Sequence, residues 1–198
     1  ALVGENLGTP DEKIHFGTAQ ELAGQDFASL SVLLVEHAVH PERRTPGLPD
    51  EAFIRGEVPM TKQEVRAAAL AKLAVQPGDT LWDVGAGTGS VSVELALAVP
   101  RGHVYAVECD PEACGLIRQN RETFHACNLT LVEGRAPAAL ADLPAPDAVF
   151  IGGTKGGMEA VVDTVLARNP NARICISAIA LETLSAAVAA LTAHGLAA

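Results

Sequence analysis

Aromatic residues are scarce in this chain: five Phe, one Tyr and one Trp among 198 residues, or 4%. Basic residues are also few, 14 Lys and Arg against 24 Asp and Glu, which leaves a formal charge of −10. A surface that grips nucleic acid needs clustered cations, often with stacking rings between them. The balance therefore argues against a nucleic-acid partner and makes any polyanionic ligand depend on a local basic patch. The four cysteines, Cys109, Cys114, Cys127 and Cys175, form no C-x-x-C pair. His125 beside Cys127 fits no zinc spacing. No metal is expected, and the thiols read as free, which suits a reducing cytoplasm. No apolar run reaches the length a bilayer demands, and no charged-then-apolar leader opens the chain. What is present is alanine and aliphatic residues, 48% hydrophobic in all. That composition suits an α/β protein with a sizeable core.

The most informative run is Leu81-Trp82-Asp83-Val84-Gly85-Ala86-Gly87-Thr88-Gly89. It reads as an apolar strand, an acid, three alternating glycines and then a helix beginning near Ser90. Glycine lets the backbone turn sharply and lets a ligand come close, and a helix start aims free N–H groups into that turn. The spacing is G-x-G-x-G. A dinucleotide fold uses G-x-G-x-x-G, and Ser90 stands where its third glycine would fall. S-adenosylmethionine (SAM) fits better, because it carries no pyrophosphate and has a cationic methionine end that Asp83 can face. About twenty residues on, the strand His103–Glu108 ends in an acid, where such folds hold ribose hydroxyls. For Asp83 the plainer role is a turn or capping acid; for Glu108 it is an ordinary strand-end charge.

Strands and helices alternate after residue 60. A T-x-x-E string at Thr61 and Glu64 predicts a capping box for the first helix. Then come strand Thr80–Val84, helix Ser90–Ala98, strand His103–Glu108 and a helix capped by Asp110 with Pro111 at its first position. Further on lie strands Leu129–Glu133, Asp147–Ile151 and Ile174–Ser177, a helix over 158–166, and a last helix from Leu181 to His194 closed by Gly195. This pattern predicts a mostly parallel, doubly wound sheet with ligands at its carboxyl ends. Residues 1–40 differ: they hold one candidate helix, Glu21–Phe27, and one candidate strand, Ser31–Val35. Those two alone cannot bury their apolar faces, so the segment reads as the tail of a preceding domain or an arm on a neighbour. Residues 41–60 read as a proline-rich linker and loop, ahead of the main domain at 61–198.

Three stretches besides the glycine run carry a resemblance: Gly47–Lys62, Asp147–Gly153 and Ser177–Thr183. Together they resemble the decarboxylating precorrin-6B methyltransferases of cobalamin biosynthesis over about residues 45–195. Gly4–Gly8 and Gly17–Ala19 resemble the end of a tetrapyrrole methyltransferase domain, as in fused C5,15 enzymes. The resemblance implies a Rossmann-like class I methyltransferase fold, here without the usual C-terminal antiparallel hairpin, and a homotetramer. It implies a SAM site in which Gly85, Ala86, Gly87, Thr88 and Gly89 surround the methionine and sugar. Glu108 would hold the ribose, Gly134, Arg135 and Ala136 would lie by the adenine, and Thr61 would close over the cofactor. Arg135 stands where relatives often carry Asp. The loop Gly152–Gly157 is one residue longer than the usual Gly-Gly-Ser-Gly-Gly, and Gly152, Gly153 and Lys155 are expected along the site.

The reaction so implied methylates carbon 15 of an anionic tetrapyrrole and removes the carboxylate of the acetate on carbon 12. Such chemistry needs alignment more than a strong base, cations for the spectator carboxylates and a dry place for the one that leaves. Arg55, Lys62 and Arg66 are candidates for the cations, with Arg43, Arg44 and Lys155 nearby; solvated surface charge is the ordinary alternative for each. Glu57 is the candidate for proton handling. Rival readings are a class I methyltransferase for another substrate, such as a tRNA base, and a non-catalytic SAM-binding domain.

Overall fold

A computed structural model describes residues 1–35 and 46–196. The chain divides into two compact units, Ala1–His40 and Pro41–Ala198. Arg43 and Arg44 lie outside the described residues.

The smaller unit contains more than one helix and one strand. Strands β1 (Leu2–Glu5), β2 (Lys13–Phe16) and β3 (Ser31–Leu34) form an antiparallel sheet in the order β2-β1-β3. The helix is a single turn, α1 (Ala19–Leu22), opened by a true capping box between Thr18 and Glu21. Glu5 ties the sheet to the chain behind it. Its carboxylate takes the Ala28 N–H at 2.5 Å and meets His15 Nε2 at 2.7 Å.

The larger unit is the doubly wound sheet expected. Its strands are β4 (Thr80–Val84), β5 (His103–Glu108), β6 (Leu129–Glu133), β7 (Ala148–Ile151) and β8 (Arg173–Ile176). They lie in the order β6-β5-β4-β7-β8, every pair parallel. Helices α2 (Gln63–Leu73), α3 (Ser90–Ala98), α4 (Pro111–Thr123), α5 (Met158–Arg168) and α6 (Leu181–Ala193) cover it. The strand period of two sorts the core into layers. Leu81, Ala148 and Phe150 pack with Leu70, Leu73, Leu95 and Ile117 of α2, α3 and α4 on one face. Trp82, Val84, Val149 and Ile151 pack with Val161, Val165 and Ala187 of α5 and α6 on the other. From β4 the chain runs outward through β5 and β6, then returns to the far side of β4 as β7. The order reverses there, and such a switch opens a crevice at the strand ends. Among the described residues α6 is the last element, β8 is an edge strand, and no helix is long and apolar enough to cross a membrane.

The expected Thr61–Glu64 capping box does not form. Helix α2 starts at Gln63, and Lys62 at its N-cap makes no side-chain capping bond. Asp50 caps it instead from a distant loop, its Oδ1 accepting the Gln63 N–H at 3.0 Å.

Candidate active site

The three alternating glycines after β4 all lie in the left-handed region, with φ of 73° at Gly85, 57° at Gly87 and 76° at Gly89. Each has its own reason. A Cβ on Gly85 would sit 2.3 Å from the Gly153 carbonyl oxygen, so the turn and the loop after β7 touch backbone to backbone. One on Gly87 would lie 3.3 Å from the Pro59 oxygen, and one on Gly89 would lie 3.0 Å from Ile117 Cγ1 of α4. The first two glycines form the cradle, and the third lets two helices pack.

Asp83 is turned beneath this cradle, and this corrects the expectation that it faces a cationic ligand end. Gly89 is the N-cap of α3 and has no side chain to offer. Asp83 instead reaches the first turn of α3 from below, its Oδ2 accepting from the Ser92 hydroxyl. It is 1% exposed. Burial pushes its pKa up from 3.8 to about 7; the Ser92 bonds oppose this and the nearby Glu108 charge adds to it. Asp83 Oδ1 and Thr88 Oγ1 are buried without a hydrogen-bond partner. Because folding raises this pKa, the fold favours the protonated acid. That contribution is complete below the unfolded value and is lost as pH climbs through the folded one. Asp83→Asn should therefore gain stability relative to wild type between pH 3.8 and about 7, the limits set by the two pKa values. The gap should level off above that range at up to about 4 kcal/mol. Urea unfolding of the ligand-free protein across pH measures it, and a gap independent of pH would overturn the assignment.

Glu108 ends β5 in register with Glu133 of β6. Its Oε2 accepts the Gly87 N–H at 2.9 Å, and its Oε1 accepts those of Cys109 at 2.7 Å and Asp110 at 2.9 Å. A carboxylate offers about four acceptor positions, so one remains on Oε2.

These groups border a cavity of about 830 Å³ at the carboxyl ends of the strands, within the range of small-molecule sites. Of the residues expected around the cofactor, Thr61, Gly85, Ala86, Gly87, Thr88, Glu108, Gly134, Arg135 and Ala136 line it; Asp83 and Gly89 do not. Glu57, Lys62, Gly152, Gly153 and Lys155 line it too, while Arg55 and Arg66 stay out of the wall. Arg135 Nη2 donates to the Lys155 carbonyl at 2.9 Å, and Lys155 Nζ lies 3.5 Å from Cys109 Sγ, which joins three strand-end loops around the mouth. Sequence reasoning missed Ser177, Ile179, Ala180 and Thr183, which close the side beyond β8. Their position after a parallel strand was the available signal.

Arg66 is not a surface cation. It is 0% exposed, and all three of its guanidinium nitrogens donate. Nε donates to Glu94 Oε1 at 2.7 Å, Nη1 to Asp50 Oδ1 at 2.8 Å and to the Thr61 carbonyl, and Nη2 to the Leu48 carbonyl at 2.5 Å. Glu94 also accepts the N–H groups of Gly47 and Leu48 at 2.6 and 3.1 Å. The Arg66 guanidinium lies 4.8 Å from the Phe53 ring centroid. Burial raises the Asp50 pKa, but the bonds and charges of Arg66 and Lys62 outweigh it and hold the carboxyl below its usual value. The network fastens residues 47–62 as a strap along one side of the cavity. Arg55 is exposed on that strap, and Lys62 is about half exposed, 3.4 Å from Asp50.

Known proteins resemble the chain over most of its larger unit. Residues 51–197 match the family model described as the precorrin methyltransferase domain. The cobalt-precorrin-6B C(15)-methyltransferase (decarboxylating) of Salmonella typhimurium is 43% identical over 148 residues, covering 74% of this chain and 76% of its own. A precorrin-6Y C5,15-methyltransferase structure from Geobacter metallireducens superposes with a TM-score of 0.74 at 44% identity, over 77% of this chain and 82% of that one. The C-terminal domain of the Rhodobacter capsulatus precorrin-6Y C5,15-methyltransferase gives 0.67 at 40% identity, over 76% and 80%.

Proposed function

The chain belongs to the precorrin methyltransferase family, and from that premise we propose that it methylates carbon 15 of a precorrin-6B-type tetrapyrrole. In the same reading it removes the carboxylate of the carbon-12 acetate, as a step of cobalamin biosynthesis. SAM is the proposed methyl donor. The observation that carries this is Glu108, bound to the Gly87 N–H and keeping one acceptor position at the cavity beside a cradle no side chain can enter. That free acceptor position fits a ribose hydroxyl of a nucleoside. When bound, SAM would supply a methyl group activated by a cationic sulfur.

The chain's own residues then position and shield. Glu108 accepts from a ribose hydroxyl, Gly134, Arg135 and Ala136 flank the adenine, and Thr61 closes from the strap. Lys62 and Lys155 face the spectator carboxylates as paired cations. Val58, Met60 and Ile179 give the cavity an apolar side, where one carboxylate loses hydration before its C–C bond breaks. The electron pair of that bond passes into the conjugated macrocycle and a proton returns to the acetate carbon; Glu57, on the wall, is the group proposed to carry it. The first forty residues are proposed to be the end of an upstream tetrapyrrole methyltransferase domain. Leu181, Leu184 and Val188, exposed at 80%, 51% and 41% along α6, form an apolar face that a second copy is proposed to cover in a homotetramer.

Two measurements test the reading. S-adenosylhomocysteine should bind the isolated chain by calorimetry. Glu108→Ala should weaken that binding by about 1–3 kcal/mol, the worth of hydrogen bonds to a charged group; unchanged affinity removes Glu108 from the site. Mass spectrometry of an incubation with a precorrin-6B-type tetrapyrrole should show one methyl gained and carbon dioxide lost. Methylation of a tRNA base instead would replace the substrate assignment.

A further inference from the structure

The geometry points to Asn120 as a positioning residue that sets the strap against the cofactor turn; this rests on the functional reading above. Asn120 sits on α4, is not itself part of the cavity wall, and is 0% exposed. Both amide hydrogens and the amide oxygen are bonded. Oδ1 accepts the Ile54 N–H at 2.8 Å, and Nδ2 donates to the Ile54 carbonyl at 2.7 Å and to the Thr88 carbonyl at 2.9 Å. It therefore reads both polar groups of one strap residue, as a neighbouring strand would, and holds the cradle at the same time.

Ile54 is 41% exposed, so burial of its side chain does not locate it. The amide does. At the other end the strap is held where Arg66 takes the Thr61 carbonyl. Between these anchors lie Glu57, Val58, Pro59 and Met60, all on the cavity wall, and Pro59 is the residue whose carbonyl faces Gly87. The donor-side turn and the substrate-side wall are thus registered through one buried amide. Loss of such registry misaligns reacting groups while leaving the binding groups in place, and that appears in turnover more than in affinity.

The test compares wild type with Asn120→Ala and Ile54→Pro. The second variant deletes the Ile54 N–H from the exposed side, after a Phe53 already extended at φ −101° and ψ 141°, as a residue before proline requires. In both, kcat per folded molecule should fall about tenfold or more, while affinity for S-adenosylhomocysteine moves less than about threefold. Hydrogen exchange supplies a readout without turnover: S-adenosylhomocysteine should protect the strap amides in wild type and lose that protection in both variants. Equal protection in variant and wild type, or unchanged turnover per folded molecule with only a lower Tm, overturns the proposal. If wild type binds S-adenosylhomocysteine but does not turn over the tetrapyrrole, the functional reading fails, and the exchange comparison still decides whether Asn120 couples turn to strap.

Discussion

Gly85→Ala is expected to abolish measurable cofactor binding and to destabilise the larger unit by about 2–5 kcal/mol. Part of that cost is intrinsic, because an L-residue at a φ of 73° is strained by roughly 1–2 kcal/mol. The remainder comes from overlap. The new Cβ would stand 2.3 Å from the Gly153 oxygen and 2.8 Å from its nitrogen, and backbone cannot swing aside as a side chain can. Gly153 is itself tied to β4, its N–H bonded to the Val84 carbonyl at 3.3 Å, so relief must spread β4 from β7 at the switch point. Overpacking of this kind costs about 1–3 kcal/mol. Gly153→Ala is the control: its Cβ would meet nothing within 4 Å, so the fold should keep nearly all its stability. Calorimetry with S-adenosylhomocysteine and urea unfolding of both variants separate them. A Gly85→Ala protein that binds as wild type does would show that the close approach of the two loops is dispensable.

The contrast between the two T-x-x-E strings shows how far local reading reaches. Thr18 and Glu21 form the box; Thr61 and Glu64, with the same spacing, do not. The difference is long-range, since Asp50 has taken the Gln63 N–H and Arg66 the Thr61 carbonyl. Elements set by nearby residues were legible: α3 and β5 have the bounds expected, and Asp110 caps α4 ahead of Pro111. So was the run of strand-end residues, because a doubly wound sheet collects them at one end. Strands β1 and β2 escaped because, unlike β3, neither holds a continuous apolar run in its four residues. Asp83 escaped in orientation only. Its strand position is visible in sequence, but its turn beneath α3 depends on Gly89 offering no cap. Arg66 reads in sequence as a cation for the substrate and Asn120 gives no signal there, since what marks both is burial among partners as far as 66 positions away.

Arg66→Ala is expected to cost the larger unit about 3–5 kcal/mol, the usual penalty for leaving one member of a buried ion pair without the other. Arg66 and Glu94 are 0% and 2% exposed at their side chains, so the stranded carboxylate has no solvent to turn to. Simple buried pairs are often replaced by two apolar residues at little cost. This pair differs because it also satisfies backbone. Glu94 takes the Gly47 and Leu48 N–H groups, and Arg66 serves the Leu48 and Thr61 carbonyls. An Arg66→Met, Glu94→Met double variant would remove the charge mismatch but leave those backbone groups unpaired, at about 1–3 kcal/mol for each that stays buried. The double variant should therefore be no more stable than Arg66→Ala, and both should weaken S-adenosylhomocysteine binding by loosening Thr61 and the strap. Arg66→Lys should recover little, since an ammonium cannot reproduce the planar fork of the guanidinium. Urea unfolding of the single and double variants decides the matter. Recovery of wild-type stability in the double variant would mean that the strap is held by its apolar contacts at Leu48 and Phe53, with the polar network contributing only order.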